Sequence, residues 1–301
     1  MTIAAALVAA TLTVTPVSRS MQPGEPVLLK ITSDQALSTV NVRAFQVDTI
    51  AYEPDPGNPK VWNALVGIDL DAKAGAYTIH VSAVSAQGPA ETSLQIFVTP
   101  KKFPTRRLSV DEAFVNPPES ARARIDAESK ETAAIFENSA ASRLWTRFVR
   151  PVADPANSAF GTRSVFNGQP RNAHSGADFL SAAGTPVKAA GSGRVMLAKN
   201  LYYSGNTVIV DHGLGVFSLF AHLSRIDVRT GTNVKDGEVV GLVGATGRVT
   251  GPHLHWTVRV AGARIDPLGL LAVLNPSAPK AAARKSPASR QAPPPVRSSR
   301  R

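Results

Sequence analysis

Histidines cluster in one part of this chain of 301 residues. Five of its six histidines lie between positions 174 and 255, where a uniform scatter would place only about one or two. Two spacings inside the cluster could do chemistry. His174 and Asp178 place an imidazole and a carboxylate four residues apart, with Gly176 between them to allow a close bend. His253 and His255 lie two residues apart.

Strands are expected to position these side chains. The sequence WTVRV, which follows His255, is typical of a strand. Because residues i and i+2 of a strand project from the same face, His253 and His255 should point into one space. Their apolar neighbours, Leu254 and Trp256, should then pack on the other side. His222 lies near the end of another strand-like segment, FSLFAHL.

This combination of residue types favours a catalytic metal site. Two histidine nitrogens and one carboxylate oxygen can hold a tetrahedral Zn²⁺ and leave the fourth position for water. The metal lowers the pKa of that water and polarises a substrate carbonyl, and a histidine that does not bind the metal can take the proton. The cluster holds more histidines than one zinc needs, which favours a hydrolase over a structural site. His212 follows a strand and precedes a tight turn, and we interpret it as structural.

A longer pattern surrounds these residues between about Phe160 and Asp266. Its segments are FGTR (160–163), NAHSGADF (172–179), GTPVKAAGSGRV (184–195), GNTVIVDHG (205–213), FAHLS (220–224) and GATGRVTGPHLH (244–255). Together they resemble the lysostaphin-type (LytM-type) zinc metallopeptidases, which cleave peptidoglycan peptides. The resemblance implies an antiparallel β-sheet with a groove across the metal.

The resemblance also implies a role for each residue. The metal-ligand pattern of the family falls on His174, Asp178 and His255, which would hold one Zn²⁺. Its two catalytic histidines that do not bind metal fall on His222 and His253. We expect His253 to be the general base, because it shares a strand face with His255, and His222 to stabilise the oxyanion. Sequence alone leaves these two roles exchangeable.

Amino-acid composition divides the rest of the chain into segments, and the whole is expected to be a mainly β protein. Short β-branched runs between Gly, Pro and Asp clusters indicate an N-terminal β-sandwich, and an Ala- and Glu-rich stretch, residues 119–148, indicates one linker helix or two short ones. The expected divisions are a possible signal remnant (1–10), an immunoglobulin-like β-sandwich (11–100), a helical linker (101–149), an antiparallel β metallopeptidase domain (150–273) and a disordered basic tail (274–301). His80 is expected to be a solvent-facing strand residue.

Charge and composition limit the partners. The net charge is +11, of which the seven basic residues after Asn275 account for most. Such a tail could contact an anionic wall or membrane, or serve only as a solubilising sequence; its lack of aromatic residues argues against nucleic acid.

No cysteine is present, which excludes disulfides and a cysteine nucleophile. The apolar start of the chain resembles the core and small-residue end of a secretory signal, and together with the family resemblance it favours export to the periplasm or cell envelope.

The expected function is therefore a zinc-dependent endopeptidase acting on stem peptides or cross-bridges of peptidoglycan during cell-wall remodelling. The target bond could be a link between D-alanine and diaminopimelate, or a glycine bridge. The alternative is a non-catalytic protein that binds the cell wall or activates another wall hydrolase through the same groove. The N-terminal domain or the linker could also block the groove and make the chain latent.

Overall fold

The computed structural model describes residues 9–109, 115–157 and 160–275. The predicted signal remnant therefore lies outside the described residues except at its end, and the predicted basic tail lies outside them from residue 276 onward. Neither described helix has both the length and the apolar character that crossing a bilayer requires.

The N-terminal part of the chain forms two antiparallel sheets. Their strands are β1 (Leu12–Val17), β2 (Pro26–Ser33), β3 (Leu37–Ala44), β4 (Val47–Ile50), β5 (Val61–Gly67), β6 (Gly75–Ser85) and β7 (Gly88–Val98). One sheet has the order β1-β2-β5 and the other the order β4-β3-β6-β7. The first, second and fifth strands also share one sheet in the immunoglobulin fold, so the strand order agrees with the predicted immunoglobulin-like sandwich.

Buried and exposed side chains alternate along the strands, and this alternation explains how the two sheets pack together. In β6, Ile79, Val81 and Ala83 are buried, whereas His80 and Ser82 between them are exposed. The inward-facing apolar residues of the two sheets join one core. His80 thus faces solvent, as the sequence predicts, and lies outside the histidine cluster.

The linker is helical only in part. A short strand, β8 (Thr105–Leu108), pairs in parallel with β10 (Arg163–Phe166), which also pairs with β11 (Gln169–Pro170). Because β8 pairs with β10 along one edge, this stretch of the expected helical linker is a strand instead. The helix α1 (Glu119–Glu137) begins after a Pro-Pro pair and carries an acidic residue in its first turn, as the start signals indicate.

The helix ends about ten residues before the limit that composition suggested, and tertiary contacts explain the difference. The Asp211 carboxylate accepts hydrogen bonds from Ser139 Oγ at 2.6 Å and from the backbone N–H of Ala140 at 2.7 Å. Beyond that anchor, Trp145 and Phe148 are buried in the core of the C-terminal sheet. The chain therefore leaves the helix to make the hydrogen bonds to Asp211 and then to bury Trp145 and Phe148 in this sheet.

A ten-stranded antiparallel sheet forms the C-terminal part. Its strands are β9 (Ala156–Asn157), β12 (Gly176–Phe179), β13 (Pro186–Lys188), β14 (Gly193–Leu201), β15 (Gly205–Asp211), β16 (Val216–Ile226), β17 (Asn233–Val234), β18 (Val239–Val243), β19 (Leu254–Val260) and β20 (Ala263–Ile265). Its main path runs β17-β14-β15-β16-β19-β12-β9. A short helix, α2 (Pro267–Leu274), follows, and the Asp266 side chain caps its start by accepting from the N–H of Leu268. The predicted mainly β fold with an antiparallel C-terminal sheet is confirmed.

Three neighbouring strands of this sheet carry the predicted site. β19 lies between β12 and β16, and the register places both Asp178 and Ala221 beside His255. Ala221 precedes His222 in the chain. On the other side of β19, Leu254 and Trp256 are fully buried. The sheet therefore gathers one face of polar residues over an apolar core.

The sandwich packs against the end of this sheet. Arg264 on β20 pairs with Asp69 at 2.5 Å and with Asp71 at 2.9 Å. Arg19 pairs with Asp266, the cap of α2, at 2.6 Å. Gly67 lies so close to β20 that an added Cβ would come within 2.6 Å of the Ala263 side chain. The two parts thus meet through ion pairs and close backbone packing.

Candidate metal centre

Three potential metal-binding atoms converge at the centre of the site. His174 Nε2 lies 3.0 Å from Asp178 Oδ1 and 3.0 Å from His255 Nδ1, and His255 Nδ1 lies 2.8 Å from Asp178 Oδ1. These residues are also the one group of His, Cys, Asp or Glu side chains within the described ranges whose atoms could share a metal ion. The sequence-predicted ligand residues are therefore brought together in space.

The donor set and its geometry fit zinc. A tetrahedral zinc with bonds of about 2.0–2.1 Å separates its ligand atoms by about 3.3 Å, close to the triangle seen here. His255 Nε2 lies 2.8 Å from Thr257 Oγ1. If Nε2–H donates to that hydroxyl, the lone pair of His255 is left on Nδ1, inside the triangle. The Thr257 hydroxyl can thus orient the ring of His255 toward the triangle.

Gly176 lets the three side chains of the triangle approach each other. A Cβ at this position would lie 2.6 Å from the Trp256 carbonyl oxygen and 2.7 Å from His255 Cε1. The sequence suggested that Gly176 permits a close bend, but it lies inside extended strand β12. The glycine is needed because β19 and the His255 ring occupy the space of a side chain.

The electrostatics of the site favour a charged Asp178 and a neutral His255. Burial alone would raise the pKa of Asp178, but the close contacts of its carboxylate with the side chains of His174 and His255 outweigh this effect and hold that pKa well below its usual range. Burial lowers the pKa of His255, against the opposing influence of Asp178. A carboxylate and a neutral imidazole are the forms that bind a divalent cation.

His253 lies beside the triangle with its own orientation held by the backbone. Its Nδ1 lies 2.9 Å from the carbonyl oxygen of Gly251. Since a carbonyl only accepts, Nδ1 carries the proton and the neutral ring keeps its lone pair on Nε2. This Nε2 lies 3.9 Å from Asp178 Oδ1. His253 therefore presents a proton acceptor next to the candidate ligands.

His222 reaches the site through an irregularity of its strand. The pairing of β15 with β16 shifts register between Asn206 and Val208, and the shift leaves His222 with a positive φ of 64°. Its backbone N–H donates to Ser204 O at 2.9 Å. Such bulges re-aim side chains next to functional sites. The ring centre thereby lies 4.8 Å from that of His253.

The ring of His222 is held in the same way as that of His253. Its Nδ1 donates to the Thr246 carbonyl oxygen at 3.0 Å, which leaves the lone pair on Nε2. Burial, followed by the neighbouring imidazole of His255, lowers the pKa of His222 to about 4. Both histidines outside the triangle thus share one tautomer.

His212 lies away from the cluster and has structural contacts. It is fully buried, its Nδ1 donates to Ser192 O at 2.9 Å, and its Nε2 lies 2.9 Å from Ser218 Oγ. Ser218 Oγ in turn accepts from Trp256 Nε1 at 3.2 Å. Burial lowers the pKa of His212 to about 4. Through Ser218 the ring is linked to Trp256 of β19, in agreement with the structural interpretation.

Comparison with known proteins identifies the family. Residues 172–267 match the model of peptidase family M23. A solved structure from Pseudomonas aeruginosa, assigned to peptidase M23, shares 31% identity with this chain at a TM-score of 0.65 and covers 85% of this chain and 96% of its own. The chain belongs to peptidase family M23. The family resemblance inferred from the sequence is thereby confirmed.

Curated M23 relatives match over the region of the site. Peptidoglycan DD-endopeptidase ShyA of Vibrio cholerae is 41% identical over 107 residues, which are 36% of this chain and 25% of that protein. DD-carboxypeptidase/endopeptidase Mpg of Neisseria meningitidis is 42% identical over 97 residues, which are 32% of this chain and 22% of that protein. The chain thus spans about a quarter of the length of these relatives.

Proposed function

We propose that this M23 chain is a zinc-dependent endopeptidase that hydrolyses peptide bonds in the stem peptides or cross-bridges of peptidoglycan, in the cell envelope. The observation that carries the proposal is the triangle of His174 Nε2, Asp178 Oδ1 and His255 Nδ1, whose edges measure 2.8–3.0 Å. The DD-endopeptidase and DD-carboxypeptidase names of the curated relatives support the substrate class.

The triangle residues would hold the zinc. When bound, zinc makes a water more acidic and polarises a carbonyl. In the proposal, Thr257 keeps the Nδ1 lone pair of His255 directed at the ion, and Gly176 leaves room for that ring.

His253 is proposed as the general base. The Gly251 carbonyl holds its Nδ1–H, so Nε2 is free of a proton in the neutral ring. At 3.9 Å from Asp178 Oδ1, Nε2 is close enough to the ligands to take a proton from the attacking water. The same nitrogen can then return the proton to the leaving amine.

His222 is proposed to stabilise the negative charge that develops on the substrate carbonyl oxygen. Since Thr246 O holds its Nδ1–H, the ring must take up a proton from solvent on Nε2 before it can donate a hydrogen bond, and it returns that proton to solvent when the products leave. Negative charge that builds up beside the ring favours this protonation. The strand bulge holds the ring at this position before substrate binds.

The test is release of peptides from purified peptidoglycan by the full chain, with mass analysis of the products. We expect activity with zinc and none after chelation. His253→Ala should lower the rate about 100-fold or more while zinc stays bound, whereas His80→Ala, at an exposed strand position, should leave it unchanged. Wild-type rates for a zinc-loaded His253→Ala protein would overturn the base assignment. A chain that binds sacculi without releasing peptides would favour the non-catalytic wall-binding alternative.

A further inference from the structure

The backbone that carries the candidate ligand His174 is paired before β12 begins. The Gly161 N–H donates to the His174 carbonyl oxygen at 2.7 Å, and the His174 N–H donates to Thr162 O at 2.9 Å. The Arg171 N–H donates to Ser164 O at 2.8 Å. Because these bonds tie the two backbones together, the position of His174 depends on the segment that leads into β10.

The linker contacts this segment directly. The Arg163 N–H donates to Pro104 O at 2.8 Å, and β8 continues the pairing along β10. Just before Pro104, the half-buried ring of Phe103 lies over Gly161, where an added Cβ would overlap the ring. Gly161 also has a positive φ of 78°. The glycine thus lets the ring touch the backbone that holds His174.

The N-terminal sandwich in turn contacts the surroundings of Phe103. Phe103 and the buried Phe160 form an edge-to-face pair with ring centres 6.3 Å apart. Phe160 lies against Gly24, where an added Cβ would overlap its ring. Lys101 Nζ lies 5.1 Å from the centre of the Phe103 ring and pairs with the buried carboxylate of Glu25 at 3.5 Å. Two adjacent residues between β1 and β2 thus secure both rings.

Gly24 is itself fixed between the two parts of the chain. Its N–H donates to Ile68 O in the sandwich at 2.8 Å, and its carbonyl oxygen accepts from the N–H of Asp266 in the C-terminal part at 2.7 Å. A continuous series of close contacts therefore runs from the sandwich through Phe160 and Phe103 to the backbone of His174. Close-packed contacts of this kind transmit a displacement instead of absorbing it.

We propose that Phe103 and Phe160 are positioning residues for His174, and that the linker and the N-terminal sandwich thereby help to hold the zinc. The inference rests on the proposed function, since it concerns the same metal site. Without the ring pair, the Gly161 backbone is free to shift and His174 Nε2 moves with it. Groups outside the ligand set that orient a ligand typically contribute about 10- to 100-fold to metal affinity.

The test is a competition titration of zinc with the full chain. Phe103→Ala should lower zinc affinity about 10-fold, and Phe103→Tyr, which keeps the ring, should restore most of it. Phe160→Leu should lower the affinity in the same direction. The matched control is Phe136→Ala. The half-buried ring of Phe136 forms an edge-to-face pair with Phe217 at 5.4 Å, near the start of β16 and outside the series of contacts described above.

Hydrogen exchange of the metal-free proteins separates positioning from a general loss of stability. The amide protons of Gly161 and His174 should exchange about 10-fold faster in Phe103→Ala than in the wild type, because the backbone pairing opens more often. In Phe136→Ala, these two amide protons should exchange as in the wild type. Thermal unfolding of each variant shows how much global stability has been lost.

Unchanged zinc affinity in a folded Phe103→Ala protein would overturn the inference and leave the proposed function standing. An equal loss of affinity in Phe136→Ala would do the same, and so would a loss without faster exchange at His174. If the wild type binds no zinc, the proposed function fails and hydrogen exchange alone decides the inference. Faster exchange at Gly161 and His174 in Phe103→Ala then supports the positioning role, and unchanged exchange overturns it.

Discussion

Gly176 offers a test of how closely the backbone of β12 controls the metal ligands. An alanine here would place its Cβ 2.6 Å from the Trp256 carbonyl oxygen and 2.7 Å from His255 Cε1. Carbon atoms pack at about 3.5 Å or more, so the ring and the added methyl must separate by roughly 0.8 Å. In a well-formed zinc site the bond lengths from the metal to its ligands lie within about 0.2 Å of their standard values. We therefore expect Gly176→Ala to lower zinc affinity by about 10- to 100-fold.

The assay is a competition titration of zinc against a chromophoric chelator, with thermal unfolding of the metal-free proteins alongside. Gly241→Ala is the matched control, because its Cβ would overlap the Arg225 carbonyl oxygen in another strand of the same sheet. We expect this variant to lose stability but to keep the zinc affinity of the wild type. Unchanged zinc affinity in a folded Gly176→Ala protein would refute the reasoning, and so would an equal loss in both variants.

Two further predictions concern residues behind the site. Thr257→Val removes the hydroxyl that holds His255 Nε2–H, so zinc affinity should fall about 10-fold while stability changes little; affinity equal to the wild type would show that Thr257 does not orient this ligand. Because the pKa of His212 is lowered in the folded protein, the unfolded chain takes up a proton at a pH where the buried ring does not. The free energy of unfolding should therefore fall by about 3 kcal/mol as the pH drops from about 6.5 to about 4. Denaturant unfolding at a series of pH values checks this against His212→Asn, whose profile should lack this part of the slope; parallel profiles would contradict it.

The strand pattern predicted the fold well because burial alternates along the strands. Ile79 and Val81 point inward and His80 outward, as a period of two requires. The linker was harder, since composition favours a helix as far as Phe148. The chain leaves the helix after Glu137, where Ser139 bonds to Asp211, a residue 72 positions away. Contacts at such separations leave no local pattern in the sequence.

The histidine cluster could be predicted because its residue types and spacings are unusual. His253 and His255 are two apart, and Asp178 lies opposite His255 in the sheet. The way His222 enters the site could not be predicted, because the bulge in β16 depends on pairing with β15. The FAHLS motif shows a histidine near a strand end but not its positive φ.

One supporting residue beside the candidate ligands was missed by the sequence analysis. Thr257 lies two residues after His255, so the period of two that pairs His253 with His255 could have identified it as a neighbour on the same face.

The most direct test of the account measures zinc binding and peptide release on the same preparations of the full chain. We predict one zinc per chain in the wild type, loss of the metal in Asp178→Ala and His174→Ala, and peptide release from peptidoglycan that stops on chelation and returns with added zinc. Full activity after complete removal of metal would contradict the account, as would zinc that stays bound at the same affinity when Asp178 is replaced.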